Sequence, residues 1–303
     1  MDALIWLRTG SRVASRVSVS QSTVSRNARR CADVFAVDLV RRGGEWYLKG
    51  NLTLLNLERQ VHQLVRWLDD QPLRLEAQHW SAPLVSPSLV DGWIAGNLDF
   101  FEYHRPLQLL RDHVIDAWIT SYPDVPADDP NLVSIHLSRM PMMLVVKDGH
   151  PLLDLGDRVS FEAIARYPIL PLPDGAFPGF QQVLIDCGLW QPAAKDGPAE
   201  PPAWRGQSGV EDLLVGFATP LTLPLYGESF RQLPLRLPVE VGDALVVARA
   251  FIDYPQTHQL AAFLRTRLRS LAATTPELVI LEPADRGQAV SPAAPSRAPA
   301  VSP

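Results

Sequence analysis

The sequence predicts an arginine-rich all-α head, a single connecting helix and an α/β body of two lobes. Three observations predict it. From Pro72 to about Ala272, strand-like apolar runs alternate with helical patterns, which is the signature of an α/β body with mostly parallel sheets. Residues 51–70 lack Gly and Pro and place Leu54, Leu57, Val61, Leu64 and Leu68 at spacings of 3, 4, 3 and 4, an a/d seam on one helix. Residues 1–68 hold 11 Lys/Arg against 5 Asp/Glu, whereas the remainder holds 17 against 28. A basic head on an acidic body is the electrostatic footprint of a nucleic-acid-binding module on a larger soluble one.

Composition narrows the class. The 303 residues are 47% hydrophobic and 20% charged, with a net charge of −5 and mean hydropathy of zero. This excludes a wholly disordered or collagen-like chain. No run of 18 uncharged apolar residues exists, so no membrane span is expected. Arg8, Arg12 and Arg16 interrupt the first 16 residues, so no signal peptide is read and a cytoplasmic protein is expected. Cys31 and Cys187 lie 156 positions apart, neither a disulfide framework nor a metal cluster.

In the head, Arg12 to Arg16 reads as a short helix and Val17-Ser18-Val19 as a turn. Ser20 would cap a second helix running to about Val34, its hydroxyl accepting from an otherwise unpaired backbone amide. On that helix Val24, Ala28 and Cys31 form an apolar stripe, opposite Ser22, Ser25, Arg26 and Arg29. A helix that enters the major groove needs short or amide-bearing side chains at its start and arginines further along. The connecting helix, about 30 Å long at 20 residues, reads as one that pairs with a second copy.

In the body, Leu73–Ala77 alternates as a strand, and Ser81-Ala82-Pro83 opens a helix. Phe100-Phe101 is a short strand candidate, Pro106–Asp112 a helix, and Val114–Ile119 a buried strand. Leu132–Leu137 and Met142–Val146 are further strands. Phe161–Arg166 is helical, Pro168–Leu172 extended, and Gly179–Asp186 helical. Leu213–Phe217 reads as a helix and Leu221–Leu223 as a short strand. Ala244–Ala248 is a strand, and His258–Leu271 a closing helix. The expected divisions are 1–50, 51–70 and 71–272. Lobe 1 takes about 71–121 and 250–272, lobe 2 about 122–249, and a disordered Pro/Ala/Ser tail 273–303.

The string Ser20-Gln21-Ser22-Thr23-Val24-Ser25-Arg26 resembles the signature of the LysR-type transcriptional regulators. Asp38–Arg42 stands where that family has its Leu-Phe-x-Arg run, and Glu45–Lys49 where it has a wing. The 51–70 helix matches the dimerising linker, and Lys147–Leu152 resembles the His-Pro-Leu stretch before the second lobe. The sequence departs from the pattern at Ser22, where a proline is usual, and at Lys49, where a threonine is usual. Gly216–Pro220 replaces a Gly-x-Gly element.

The resemblance implies a winged helix-turn-helix, a linker helix and a periplasmic-binding-protein-like effector domain. It implies a regulator that binds double-stranded operator DNA as a homodimer or homotetramer. RNA polymerase would be a partner if it activates. The DNA contacts expected are Ser20, Gln21, Ser22, Thr23, Ser25, Arg26, Arg29, Arg30, Arg41, Arg42 and Lys49. The dimer seam is Leu54, Leu57, Val61, Leu64 and Leu68. Between the lobes, the helix start at Ser81 and the loop Thr120, Ser121 and Tyr122 would hold a small effector, an anion by the preference of unpaired helix amides.

Enzymatic chemistry finds no footing. The seven histidines have no ligand spacing with Cys, Asp or Glu. Gly-x-Ser-x-Gly, a phosphate loop and a dinucleotide glycine signature are all missing. No cofactor, metal or membrane partner is expected. The alternative reading is a ligand-binding α/β protein whose N-terminal segment serves only for oligomerisation. A third is an enzyme on the same two-lobed fold, which a nucleophile–base pair within hydrogen-bond reach in a pocket would support.

Overall fold

The computed structural model describes residues 1–283 apart from 70, 87, 174 and 191–210. The chain begins with three helices, α1 (Asp2–Leu7), α2 (Gly10–Val17) and α3 (Gln21–Val34), then a hairpin of β1 (Asp38–Arg42) and β2 (Glu45–Lys49). Thr9 and Ser20 each cap the following helix, accepting from the amides of Arg12 and Thr23. The hairpin closes at Gly43-Gly44, with φ of 56° and 85°, the left-handed pair that a two-residue turn between twisted strands requires. Helix α4 (Thr53–Leu68) leads into the body.

The body contains β3 (Leu73–Ala77), α5 (Ala82–Val85), β4 (Trp93–Ala95), α6 (His104–Arg111), β5 (Ala117–Tyr122) and β6 (Leu132–His136). There follow β7 (Ser138–Lys147), α7 (Phe161–Ile164), α8 (Pro178–Asp186), β8 (Gly216–Ala218), β9 (Phe230–Ala248), α9 (Pro255–Ala272) and β10 (Val279–Ile280). The sheet order is β10-β7-β9-β5-β3-β4, with β6 also on β9 and β8 on β7. Strand β9, 19 residues long, belongs to both lobes. Its end lies with β6 in lobe 1, so residues 123–137 and 242–249, expected in lobe 2, belong to lobe 1. Its first part pairs with β7, and its last residues pair with β5 and β6. Gly242 marks the passage, where a side chain would collide with the Ser138 carbonyl and the Tyr122 hydroxyl.

Each lobe has its own core. Lobe 1 packs Trp67, Leu75, Ile119, Leu245 and Leu264 among others, and lobe 2 packs Leu144, Ile164, Phe180, Leu184 and Leu233. A third cluster joins Leu4, Ile5, Trp6, Leu7, Val24 and Ala28 to Phe100, Leu109, Ile115 and Trp118. The head therefore shares a core with lobe 1.

Several expectations need correction. The body is a mixed sheet, not a mostly parallel one: β3 runs parallel to β4 and β5, but β9 is antiparallel to β5, β6 and β7. Residues 216–218 form a strand on β7, where a helix was expected, and Leu223–Tyr226 is a short 3₁₀ turn, where a strand was expected. Phe100 makes only an isolated bridge to Gln78. The buried strand begins at Ala117, because Val114 and Ile115 turn back from α6. The tail is ordered up to residue 283: Leu278 is buried and β10 pairs with Arg139 and Ser138. The apolar run Leu278–Leu281 supplies the burial that its Pro/Ala/Ser surroundings lack. The rest of the expected tail lies outside the described residues.

Candidate functional site

Helix α3 separates its residues by face. Val24, Ala28 and Ala32 are buried, while Gln21, Ser22, Ser25, Arg26, Arg29 and Arg30 are exposed. Ala32 takes the inward position expected for Cys31, which is only half-buried. The spacing explains this, since 24, 28 and 32 follow one i, i+4 ridge. At the helix start, Ser20 Oγ lies 2.9 Å from both Ser22 Oγ and Thr23 Oγ1. The Arg26 guanidinium donates to Thr23 Oγ1 at 3.3 Å. These are local, exposed bonds that a stronger acceptor can displace. Arg41, Arg42 and Lys49 are exposed on the hairpin. Arg41 lies over Trp46 with its guanidinium carbon 5.6 Å from the ring centre. The hairpin and α3 thus carry five exposed arginines and one lysine, Arg26, Arg29, Arg30, Arg41, Arg42 and Lys49, and α2 adds the exposed Arg16.

Helix α4 has two unlike faces. Leu55, Arg59, Gln63, Arg66 and Trp67 are buried against the rest of the chain. Arg66 donates twice to the Asp116 carboxylate at 2.8 Å, and Gln63 donates to the same group at 3.2 Å. Arg59 pairs with Asp2 at 2.7 Å. On the opposite side Leu54, Leu57, Val61, Leu64 and Leu68 are between 46% and 68% exposed. Polar pairs together with the buried Leu55 and Trp67 therefore hold the helix to its own chain, and a continuous apolar seam faces away.

The head is bound to lobe 1 by more than the shared core. Trp6 Nε1 donates to Glu76 Oε2 at 2.8 Å, and the Leu98 amide donates to Glu76 Oε1 at 2.8 Å. Glu76 is fully buried. Burial outweighs the three hydrogen bonds it accepts and pushes its carboxyl up to about 7. Asn97 donates to the Leu7 carbonyl at 3.2 Å, and Arg16 to the Ala95 carbonyl at 2.8 Å. Arg8 pairs with Glu45 of β2 and with Asp99 of lobe 1. Nothing in the local sequence signals this docking, because its partners lie about 70 to 90 positions apart.

Between the lobes, the expected residues are brought together but largely committed. Ser81 is buried and donates to Asp243 Oδ1 at 2.6 Å. Helix α5 has four residues and no side-chain cap at Ser81. The expected anion-holding helix start is therefore not offered there: the neighbouring group is already a carboxylate. Thr120 is buried within hydrogen-bond distance of Gln78 Oε1 and the Asp124 carbonyl. Tyr122 donates to the Ser138 carbonyl at 2.6 Å and stacks on His136. Ser121 accepts from Trp80 Nε1 at 2.8 Å and is half-buried.

Sequence reasoning missed the groups that line the junction. Trp80 and Phe101 from lobe 1 meet Phe177 from lobe 2, with ring centres 5.5 to 5.8 Å apart. Gln78 is fully buried, and its Nε2 is without a partner among the described residues. Asp124, just past β5, accepts from the Gly179 and Phe180 amides at the start of α8. Burial, against those two bonds, raises its carboxyl to about 6. No metal-holding group of His, Cys, Asp and Glu occurs among the described residues. No described helix is long and apolar enough to cross a membrane.

Residues 96–189 match the family model of the LysR substrate binding domain. No curated protein matches the sequence. Among solved structures, the chain is similar to a cysteine-to-aspartate variant of full-length OxyR from Pseudomonas aeruginosa, at 16% identity and TM-score 0.55, covering 93% of this chain and 96% of that one. A probable transcriptional regulator from the same organism aligns at 13% identity and TM-score 0.53, covering 88% and 94%. The effector binding domain of a BenM variant aligns at 16% identity and TM-score 0.52, covering 69% and 98%. These likenesses carry the fold, a two-lobed α/β domain of the LysR effector-binding type. The resemblance read from residues 20–26 and the family match from residues 96–189 agree.

Proposed function

We propose that this chain, whose residues 96–189 belong to the LysR substrate-binding domain family, is a LysR-type transcriptional regulator. Its residues 1–50 act as a winged helix-turn-helix, with β1 and β2 as the wing. The chain binds operator DNA as a dimer or tetramer in the cytoplasm and answers to a small effector between its lobes. RNA polymerase is its further partner if it activates.

The observation that carries the reading is the division of α3. Its serines, glutamine and arginines face outward while Val24, Ala28 and Ala32 face inward. Gln21, Ser22 and Ser25 approach base edges, and Arg26 and Arg29 contact guanine or phosphate. Arg30, Arg41, Arg42 and Lys49 meet the backbone, and Ser20 and Thr23 shape the helix start where a phosphate sits. The exposed seam of α4 supports pairing of two copies, because a soluble monomer gains nothing from a row of five apolar side chains in water. Support for an effector between the lobes comes from the orphaned Gln78 Nε2 and the aromatic trio beside it. An acceptor-bearing ligand satisfies both. The anionic class loses the support of Ser81, whose neighbour is Asp243.

The test is a gel-shift titration with the DNA upstream of the gene for this chain, at several salt concentrations. Binding falls steeply with salt. Arg26→Ala weakens specific binding by about 1–3 kcal/mol if the arginine reads a base. Unchanged affinity removes Arg26 from the contacts. A chain that binds no duplex at any salt instead favours the ligand-binding reading in which the head serves only for oligomerisation.

A further inference from the structure

A cavity of about 250 Å³ lies where the head, α4 and lobe 1 meet. It is separate from the inter-lobe junction: neither Gln78 nor the aromatic trio lines it. Its wall takes Ala3 from α1, Cys31 from α3, Leu55 and His62 from α4, and Arg74 and His113 from lobe 1. The size lies just below the roughly 300 Å³ at which ligand sites usually start, which suits only a small occupant.

The charged side chains around it are paired, with one exception, and Met1, which carries the α-amino group, also lines it. Asp2 and Arg59 are paired at 2.7 Å, Glu58 and His62 at 2.7 Å, and Arg66 and Asp116 at 2.8 Å. Arg74 has no carboxylate within ion-pair distance among the described residues. Its guanidinium donates to the Val114 carbonyl at 2.9 Å and lies 5.7 Å from the Trp6 ring centre. Among the described residues the guanidinium has one acceptor, the Val114 carbonyl, so most of its five donors lack a partner on the chain. Burial and the neighbouring Arg66 disfavour its charge. His113 Nδ1 is engaged with Gln63 Oε1 at 2.7 Å, and burial and the nearby Arg59 and Arg66 disfavour its charged form. Ala3, Leu55 and Cys31 add apolar surface to the lining.

We propose that this cavity binds a small organic carboxylate, its anionic end on Arg74 and its apolar body against Ala3, Leu55 and Cys31. The carboxylate matches the planar guanidinium as a bidentate acceptor. The occupant touches the rear of α3, the inner side of α4 and β3 at once. It therefore bears on both the DNA-facing helix and the helix that carries the apolar seam, by a route that does not pass between the lobes.

The two cysteines make the test internal to the chain. Cys31 lines the cavity, and Cys187 lies on lobe 2. The full chain is alkylated with N-ethylmaleimide with and without hexanoate at constant ionic strength, and each site is followed by mass spectrometry. Hexanoate is expected to slow Cys31 at least fivefold and saturably while Cys187 is unchanged. Arg74→Gln, with Cys187 reacting as in the parent, loses the protection. Ala3→Leu fills the cavity with Arg74 in place and loses it too, which keeps the proposal testable if Arg74→Gln does not fold. The proposal is overturned if hexanoate leaves Cys31 unprotected, if both cysteines slow alike, or if either variant is protected like the parent. It is also overturned if Cys31 is inert without hexanoate, because the cavity would then be closed to ligands. The gel shift is read in the absence of hexanoate, so failure here leaves the DNA-binding reading untouched.

Discussion

Replacing Glu76 by glutamine tests the head-to-body joint through its pH dependence. The Glu76 carboxyl is fully buried between α1 and lobe 1. It accepts from Trp6 Nε1, from the Leu98 amide and, at 3.2 Å, from the Ala77 amide. Burial nevertheless raises it from 4.5 to about 7. The folded chain thus holds a proton that the unfolded chain releases near 4.5. Stability is full below that value and falls as pH rises to about 7. The loss is about 3 kcal/mol at 1.36 kcal/mol per pKa unit. Glutamine carries no such dependence. It has one acceptor oxygen where the carboxyl has two, so its amide nitrogen opposes a donor at about 1–3 kcal/mol. Urea denaturation followed by tryptophan fluorescence at pH 5, 6, 7 and 8 measures both terms. The parent is expected to be the more stable at pH 5, and its margin over Glu76→Gln to shrink by about 2.5 kcal/mol by pH 8, part of the loss having occurred below pH 5. Asp124 and Asp243 also have raised values, but they are common to both proteins and cancel in the difference. A margin that is the same at pH 5 and pH 8 would refute the reasoning.

Two further outcomes concern α4. Leu57 and Val61 stand 54% and 60% exposed in the seam. Changing both to aspartate removes two burials of about 1.5 kcal/mol or more each, which weakens self-association by at least about 100-fold. Light scattering after size exclusion reads this as monomer at concentrations where the parent is dimeric; an unchanged mass rules the seam out. On the other face, Trp67 is 1% exposed, stacks on Phe251 at 4.5 Å and meets Trp93 and Tyr254 edge-on. Trp67→Ala is expected to lower stability by about 3–5 kcal/mol, with the seam and self-association retained in whatever remains folded. A loss below 1 kcal/mol in a denaturant titration would show that α4 is not held by this contact.

What was legible in the sequence was local. Ser20 announces the start of α3 because a cap acts three residues ahead. The α4 seam announces itself because 3–4 spacing survives whatever the helix packs on. Strand β9 was half-read: Pro234 and Pro238 argue against a strand, yet both are exposed and the register with β7 is irregular between Pro141 and Val145. The role of Ser81 was misread because its partner, Asp243, stands 162 positions away. The docking of Trp6 on Glu76 was invisible for the same reason. A two-residue tryptophan–glutamate contact leaves no periodic trace, and a buried glutamate in a strand reads as an exposed one. The cavity beside Arg74 shares that fate, since five separate stretches of chain build it.

Because the head shares its core with lobe 1, the part left to move is lobe 2, and the lobes are tied by Asp124. Its carboxylate accepts from the Gly179 amide at 2.7 Å and from the Phe180 amide at 3.3 Å, capping α8 from across the junction. Two effects of opposite sign meet there. An anion at a helix start stabilises by about 0.3–2 kcal/mol. Against it, the carboxyl is raised from 3.8 to about 6, which at neutral pH is a cost of about 3 kcal/mol and already includes both hydrogen bonds. The raised value means that stability from this group is present below about 4 and lost as pH climbs through about 6. Asparagine keeps the stronger bond to Gly179, removes the charge and gives up the weaker bond to Phe180, at about 1 kcal/mol. The balance makes Asp124→Asn more stable than the parent by about 1–2 kcal/mol at pH 7.5, with the gain disappearing near pH 4. Lobe separation then becomes harder, so an effector that works by opening the junction needs a higher concentration in the variant. Thermal melts at the two pH values decide the sign. A variant that melts lower than the parent at pH 7.5 would mean that the helix-start attraction outweighs burial, and that the carboxylate closes the lobes rather than straining them.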